Sequence, residues 1–352
     1  MKKINLLVLL ASAILLMACG KGMNTSAANT DSQGKEKGRV KFILEIDEPE
    51  PVNDLSNQYQ DTDFAKAMAD AKEILADRLD RFGVSWYNIK ILDGNRRMSV
   101  EMSSEEDMER IRRLLQSAGN LEFWETYASQ EVAPYIFRLD SELAALSSDN
   151  ADAEKATPES SAAGDHPLLS KLYGGGPRQD RGCVVLFAHE KDTAAINKML
   201  HSDMGNAVFP ADLKFLWGAK PTDMFRGQKH IFELYAIRMT GDGDQAPIGG
   251  NVVKKAKAEF SQVNEKPVVT IWLNDNSARK WAEFTERNVG LPVVFVLDDL
   301  VYSAPVVMNK ITGGVTQMSG NFTVEDTEDM ANTLNSGRIT VPLRIVEEDV
   351  IK

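Results

Sequence analysis

An α+β fold, in which a small base of sheet and helices carries a second α+β unit inserted into it, is what this sequence predicts. Three observations predict it. Apolar periodicity over residues 39–127 alternates between period two and period 3.6 in the order βαββαβ. A stretch rich in Ser, Asp, Ala and Gly then interrupts the pattern, and a second set of strand and helix signals follows it. The chain closes on one more helix and strand, which are expected to return to the first sheet and so make the middle region an insertion.

The elements follow in order. "RVKFILEI" (39–46) reads as a strand. "TDFAKAMADAKEILADRLDRFG" (62–83) reads as a helix with Phe64, Met68, Ala71, Leu75 and Leu79 on one face and Gly83 as its stop. "VSWYNIKIL" and "RRMSVEM" read as two strands joined by a turn at Asp93-Gly94-Asn95. A capping box from Ser103 to Glu106 opens a second helix with Met108, Ile111, Leu114 and Leu115 inward, and "NLEFWETY" (120–127) follows as a strand. That order is a split βαβ, ferredoxin-like base spanning 39–128. Residues 129–182 read as an exposed insertion, partly disordered, with one short helix at "HPLLSKLY".

The head is expected over 183–321, with strands at 183–189, 213–217, 230–239, 268–274, 292–297 and 301–307 and helices at 192–200 and 276–288. Trp281, Phe284 and Thr285 form the inward stripe of the second helix. Residues 322–352 complete the base. Thr323 caps the last helix, whose first-turn acids suit the helix dipole, and "ITVPLRIVEED" supplies the strand.

Before the fold begins, residues 1–19 read as a secretory signal: Lys2 and Lys3, an apolar run from Leu6 to Met17, then Ala18 and Cys19. The ending Leu16-Met17-Ala18-Cys19 resembles a bacterial lipobox, which makes Cys19 the expected lipidation site. The apolar run is about a dozen residues, short of the ~20 that a membrane span needs. Residues 20–38 are small and polar and suit a tether. The expected location is therefore extracytoplasmic, on an envelope membrane through the lipid. Cys183 is the one other cysteine and reads as a buried free thiol in a strand. The formal charge of −12, which loss of Lys2 and Lys3 lowers by two to −14, argues against nucleic-acid partners.

Catalytic chemistry finds little support. His166, His189, His201 and His230 have no zinc spacing, so no metal site is expected. Asp242 and Asp244 stand at calcium-loop spacing, but Ala246 and Pro247 occupy places where a ligand and the turning glycine belong. Hydrolase, zinc-protease and P-loop motifs are absent, and no cofactor is expected. "VVFVLDDLVYSAPVV" (293–307) gathers Asp298, Asp299, Tyr302 and Ser303, the cast of an acid/base site. Two apolar runs around a two-residue polar break also describe a hairpin, with both acids facing water at its tip. The hairpin reading is preferred, because nothing in the sequence moves a carboxylate toward neutrality.

The same stretch carries a resemblance. Leu297-Asp298, Ser303-Ala304-Pro305, Ile311 with Gly313-Gly314, Gly320 with Phe322-Thr323, Leu334 with Ser336-Gly337, and Pro342 together resemble the segment ending the first large periplasmic domain of the SecD part of the SecD/SecF protein-export family. "ILADRLDRFGVSWYNIKIL" and "LLQSAGNLEFWETY" resemble its front half. "HEKDTAAINKML" and "FPADLKFLWGAKP" resemble the long version in fused Bacteroidetes proteins. The resemblance runs from about Arg39 to Asp349. It implies a base, a movable inserted head, and contact with polypeptides emerging from the translocon.

Family members begin with a transmembrane helix and a "GLDLkGG" segment and continue into a membrane bundle. Here a lipoprotein signal and Lys352 stand in those places, so the proton-driven motor is not expected to carry over. The expected function is a non-enzymatic, membrane-tethered domain that binds translocating or unfolded polypeptides. The alternative is a structural or regulatory lipoprotein that binds the membrane translocase, through Sec translocon subunits, or another envelope partner, without handling precursors.

Overall fold

The computed structural model describes residues 38–47, 61–92, 94, 96–103, 107–149, 166–225, 227–241 and 245–351. The signal, Cys19, the tether as far as residue 37, and Asp242 and Asp244 lie outside the described residues.

In the base, β1 (Arg39–Ile46), α1 (Asp61–Phe82), β2 (Tyr87–Ile91) and β3 (Arg97–Ser103) form where periodicity puts them. Phe64, Met68, Ala71, Leu75 and Leu79 of α1 are all buried against the sheet, and the larger of them contribute about 1.5–3 kcal/mol each. The antiparallel sheet runs β14-β1-β3-β2, with β14 (Leu343–Ile351) along β1. β1 and β2 flank β3 and run parallel to each other, which is the split βαβ arrangement.

Two details of the base differ from expectation. The helix predicted from Ser103 begins later, as α2 (Met108–Gln116), capped by Asp107, whose carboxylate accepts from the Glu109 and Arg110 N–H groups. Ser103 stays extended because it is still paired with Arg39 in the ladder. The strand predicted over 120–127 forms as β4 (Leu121–Thr126) but pairs in the head, between β11 (Val293–Leu297) and β8 (Ile231–Arg238). Leu121 and Phe123 are buried in one apolar cluster and Trp124 in another. A strand buried on both faces belongs between layers, and a base sheet with helices on one face has no such place for it.

The head opens with α3 (Ser129–Asp149), a helix where the sequence predicts an exposed insertion. Its inward stripe of Val132, Ile136 and Leu139 is at helical spacing, but Pro134 and a run of small residues obscure it. The helix expected at "HPLLSKLY" is a single 3₁₀ turn, Leu169–Lys171, followed by β5 (Leu172–Tyr173). Then come β6 (Val184–His189), α4 (Glu190–Leu200), α5 (Asp203–Val208), β7 (Leu213–Trp217) and β8. Cys183 is a buried free thiol one residue before β6, and burial pushes its pKa up to about 12.

The remaining elements are β9 (Val253–Phe260), β10 (Pro267–Leu273), α6 (Asp275–Arg287), β11, β12 (Leu300–Ser303), β13 (Val315–Ser319) and α7 (Val324–Ser336). β9 escaped the sequence reading because Ala256 is its only buried residue. β12 ends at Ser303, four residues before the predicted strand does, yet the chain stays paired beyond it: Val293 N donates to Pro305 O at 3.0 Å and Val307 N to Leu291 O at 3.0 Å.

The large head sheet curls on itself. β12, β11, β4, β8 and β7 are neighbours in turn, and Gly218 after β7 pairs with Val301 of β12. The ring closes around Trp124, Leu216, Tyr235, Ile237, Val294, Val296 and Val301. A separate sheet, ordered β13-β10-β9, shares a second core with α6 and α7. α7 belongs to both units. Met330, Ala331 and Leu334 enter the head core, while Asp329 takes a bidentate pair from Arg110 of α2, at 2.6 and 3.0 Å.

Candidate functional site

The acid-rich hairpin resolves first. β11 and β12 are joined at Asp298 and Asp299, whose φ values of 52° and 60° are left-handed, as a two-residue turn of the primed kind requires. Asp299 does face water, its side chain 78% exposed beside Lys214 at 3.2 Å. Asp298 does not, which corrects the expectation for it. Its carboxylate turns inward, accepting from Ser117 Oγ at 2.5 Å, Gly119 N at 3.2 Å and Asn120 N at 2.8 Å. Burial, then Asp298 and Asp326, push the Tyr302 phenol up to about 12, which keeps it protonated at neutral pH. Ser303 Oγ donates to Ser319 O at 2.7 Å.

What Asp298 grips is the junction between base and head. The chain crosses there at 117–120 and again at 337–339, and Ile339 N donates to Ala118 O at 2.8 Å between the two crossings. Arg78 of α1, 0% exposed, spans both. Its guanidinium donates to Leu114 O at 3.0 Å, Ser117 O at 2.5 Å, Ala118 O at 3.3 Å and Gly337 O at 3.1 Å. Burial lowers its pKa to about 10, and the nearby Asp298 carboxylate opposes that fall. Gly119 has φ 76°, and a Cβ there would lie 2.9 Å from Arg78 Nη2 and 3.2 Å from Gly337 O, so the crossing needs glycine. Asn332 of α7 closes the cluster by donating to Arg78 O at 2.9 Å.

The second feature is a cleft in the head, about 610 Å³ in volume, beside β13. Val293, Phe295 and Trp281 form its floor, the segment 305–309 one wall and Val315–Gln317 the other. Val306 and Met308 stand at its mouth, 52% and 75% exposed. Trp281 is buried against Phe123, Phe284 and Phe295, yet its indole Nε1 has no hydrogen-bond partner among the described residues. Trp124 and Trp217, by contrast, donate to Glu122 and Asn197. A buried indole N–H without a partner is uncommon, and here it belongs to a ring that lines the floor of an apolar cleft.

The signature residues divide between these two places. Asp298 and Gly337, with φ 96° and a carbonyl held by Arg78, belong to the junction, with buried Leu297 beside them. Pro305 lines the cleft and Ser303 ties β12 to β13. Gly314, φ 61°, lets β13 start against α6, where a Cβ would lie 2.5 Å from Ala278 Cβ. Gly320 would place a Cβ 2.7 Å from the Phe322 ring, and Thr323 caps α7 in a reciprocal box with Asp326. Ala304 packs against the barrel interior, and Gly313 has open space where a Cβ would go.

Sequence reasoning missed Arg78 and the cleft. A cation one turn from Leu75, inside an apolar stripe, was a readable signal for the first. The second is assembled from six separate segments and had none.

Comparison with known proteins decides the family. Residues 240–341 match the model of the SecDF P1 head subdomain, and residues 68–128 match that of the N-terminal part of the SecDF P1 domain. This chain carries a P1 domain of the SecD/SecDF family. The SecD subunit of Rhodothermus marinus is 30% identical over 304 residues, 81% of this chain and 47% of that protein. Acidaminococcus fermentans SecD is 38% identical over 208 residues, 53% of this chain and 48% of that protein. This chain thus spans about half the length of these SecD relatives. A solved structure of SecDF, described as a membrane component that enhances protein export, is 20% identical over 88% of this chain and 100% of that one, with a TM-score of 0.48. SecD P1 domains are extracytoplasmic, and no helix among the described residues is long and apolar enough to cross a membrane.

Proposed function

We propose that this P1 domain assists protein export by binding extended apolar segments of translocating polypeptide in the head cleft. The base is its fixed part, and a lipid on Cys19 holds it at the membrane. The observation that carries this reading is the cleft itself: an apolar trough with exposed Val306 and Met308 at its mouth and the unpartnered Trp281 indole on its floor. The family supports a role in export, and the junction built on Arg78 and Asp298 suits a head held in fixed register on the base.

A photo-crosslinking residue in place of Met308 tests it in cells. Secreted precursors are expected in the adducts, and the same probe at exposed Lys72 on α1 traps none. Adducts containing translocon subunits and no precursors would favour the regulatory alternative and overturn polypeptide binding. Loss of lipid labelling in Cys19→Ser tests the tether separately.

A further inference from the structure

The sheet β13-β10-β9 has two edges, and they are treated differently. On β9 the pairing with β10 turns the backbone groups of Ala256 outward, and Asn335 of α7 takes both. Ala256 N donates to Asn335 Oδ1 and Asn335 Nδ2 donates to Ala256 O, each at 2.8 Å. At Ala256 that edge is plugged by a side-chain amide, while the outward groups of Ala258, two residues on, have no partner among the described residues.

On β13, Leu273 N donates to Gly314 O at 2.8 Å, which fixes the phase of the ladder. Thr316 and Met318 therefore bond toward β10, while Val315, Gln317 and Ser319 turn their N–H and C=O groups away from it. Ser303 Oγ takes the Ser319 carbonyl. Among the described residues nothing takes the outward backbone groups of Val315 and Gln317, and both residues stand on the wall of the cleft. Residues two apart along a strand present their groups at the spacing of a second strand's own repeat.

The cleft's charge narrows what could lie there. Glu259 is the one ionisable side chain on its wall. Hydrogen bonds from Thr270 and Lys257 hold its carboxyl below the ordinary range, so it is ionised at neutral pH. The chain as a whole carries −12. An acidic segment meets repulsion, and a neutral or basic one is complemented.

The geometry points to β13 as an acceptor edge for an added strand. Val315 and Gln317 supply main-chain bonds to an extended segment that packs over the Trp281 ring, and Glu259 selects neutral or basic side chains over acidic ones. This rests on the polypeptide-binding reading above and states how and what the cleft would bind.

Fluorescence anisotropy with a labelled peptide of alternating Thr and Val, Lys at both ends, tests both layers. The peptide is also made with its alternate amides N-methylated, in the two possible phases, and with Glu replacing both lysines. Binding of the parent peptide is expected, with a loss of about tenfold or more in the phase that faces β13 and in the Glu version. Gln317→Pro should weaken parent binding by a similar factor with Tm unchanged, since an edge strand tolerates proline where its N–H points outward. Val315→Pro, at the other outward position of β13, gives an independent readout with the same expected loss should that variant misfold.

Parent and both methylated phases binding within about threefold of one another would overturn strand addition while leaving polypeptide binding in place. Equal binding of the Lys and Glu versions would overturn the charge selection. No binding by any peptide would bring down the polypeptide-binding reading, and this inference with it.

Discussion

Replacing Arg78 by Met tests the junction most severely. The substitution keeps an unbranched apolar stem in the same space and removes the charged head. Four carbonyls lose a cationic donor, those of Leu114, Ser117, Ala118 and Gly337, and Asp298 loses its buried counter-charge. Hydrogen bonds to charged groups are worth about 1.5–3 kcal/mol each, so a plain sum would exceed ~6 kcal/mol. The sum overstates the loss. Ser117, Ala118 and Gly337 are partly exposed and can rehydrate, the cost of burying a guanidinium disappears, and only the bond to Leu114 O is fully buried. Breaking a buried charged cluster by removing one member costs about 3–5 kcal/mol, which is the loss expected here.

Urea unfolding of the purified protein measures that loss, and hydrogen exchange at the Ile339 amide localises it, because that N–H bonds across the two crossings to Ala118. Arg78→Lys, which keeps the charge but not the fork, should fall between Met and wild type. A loss below about 1 kcal/mol in Arg78→Met, with unchanged protection at Ile339, would mean that packing alone holds base and head together.

Three further perturbations follow from the same geometry. Asp299→Gly relieves a left-handed backbone at an exposed turn and gives up only a surface pair with Lys214, so a gain of about 0.5–1 kcal/mol in urea unfolding is expected; a loss would mean that the pair outweighs the backbone. Gly314→Ala, with φ 61° and a Cβ 2.5 Å from that of Ala278, should cost about 2–4 kcal/mol, and a Tm within a degree or so of wild type would refute the close approach. At Asp326, burial alone would raise the carboxyl, but the bonds from Lys220 and Thr323 N outweigh it and leave the folded pKa below the ordinary range. Its contribution is therefore present above the unfolded value of about 3.9 and lost as pH falls through the folded one, so Asp326→Asn should be less stable than wild type at pH ~7 and equal to it near pH ~2; an offset independent of pH would refute the assignment.

The base was legible in the sequence because its sheet has helices on one face. Val40, Phe42, Leu44 and Ile46 recur at period two, with Ile43 the one buried residue out of phase, and α1 shows one apolar stripe. β4 shows why the head was harder. "LEFW" reads as a strand in any context, but nothing local says which sheet it joins, and burial on both faces decides that only after β8 and β11 arrive. The hairpin at Asp298-Asp299 was visible as turn chemistry. Its inward carboxylate was not, because Ser117, Gly119 and Asn120, which it binds, lie about 180 residues away in sequence. The cleft was least legible of all. It depends on an edge left unpaired and on an indole left without a partner, and an absence of contacts has no sequence signature.

The indole N–H resonance of Trp281 tests the central claim most directly, since it is the unpaired donor on the cleft floor. The protein is titrated with a permanently unfolded polypeptide, such as a reduced and carboxymethylated small protein. Polypeptide binding in the cleft predicts that the Trp281 resonance moves in a saturable way while those of Trp124 and Trp217, already bonded to Glu122 and Asn197, stay in place. A Trp281 resonance that stays fixed through the titration would contradict the account.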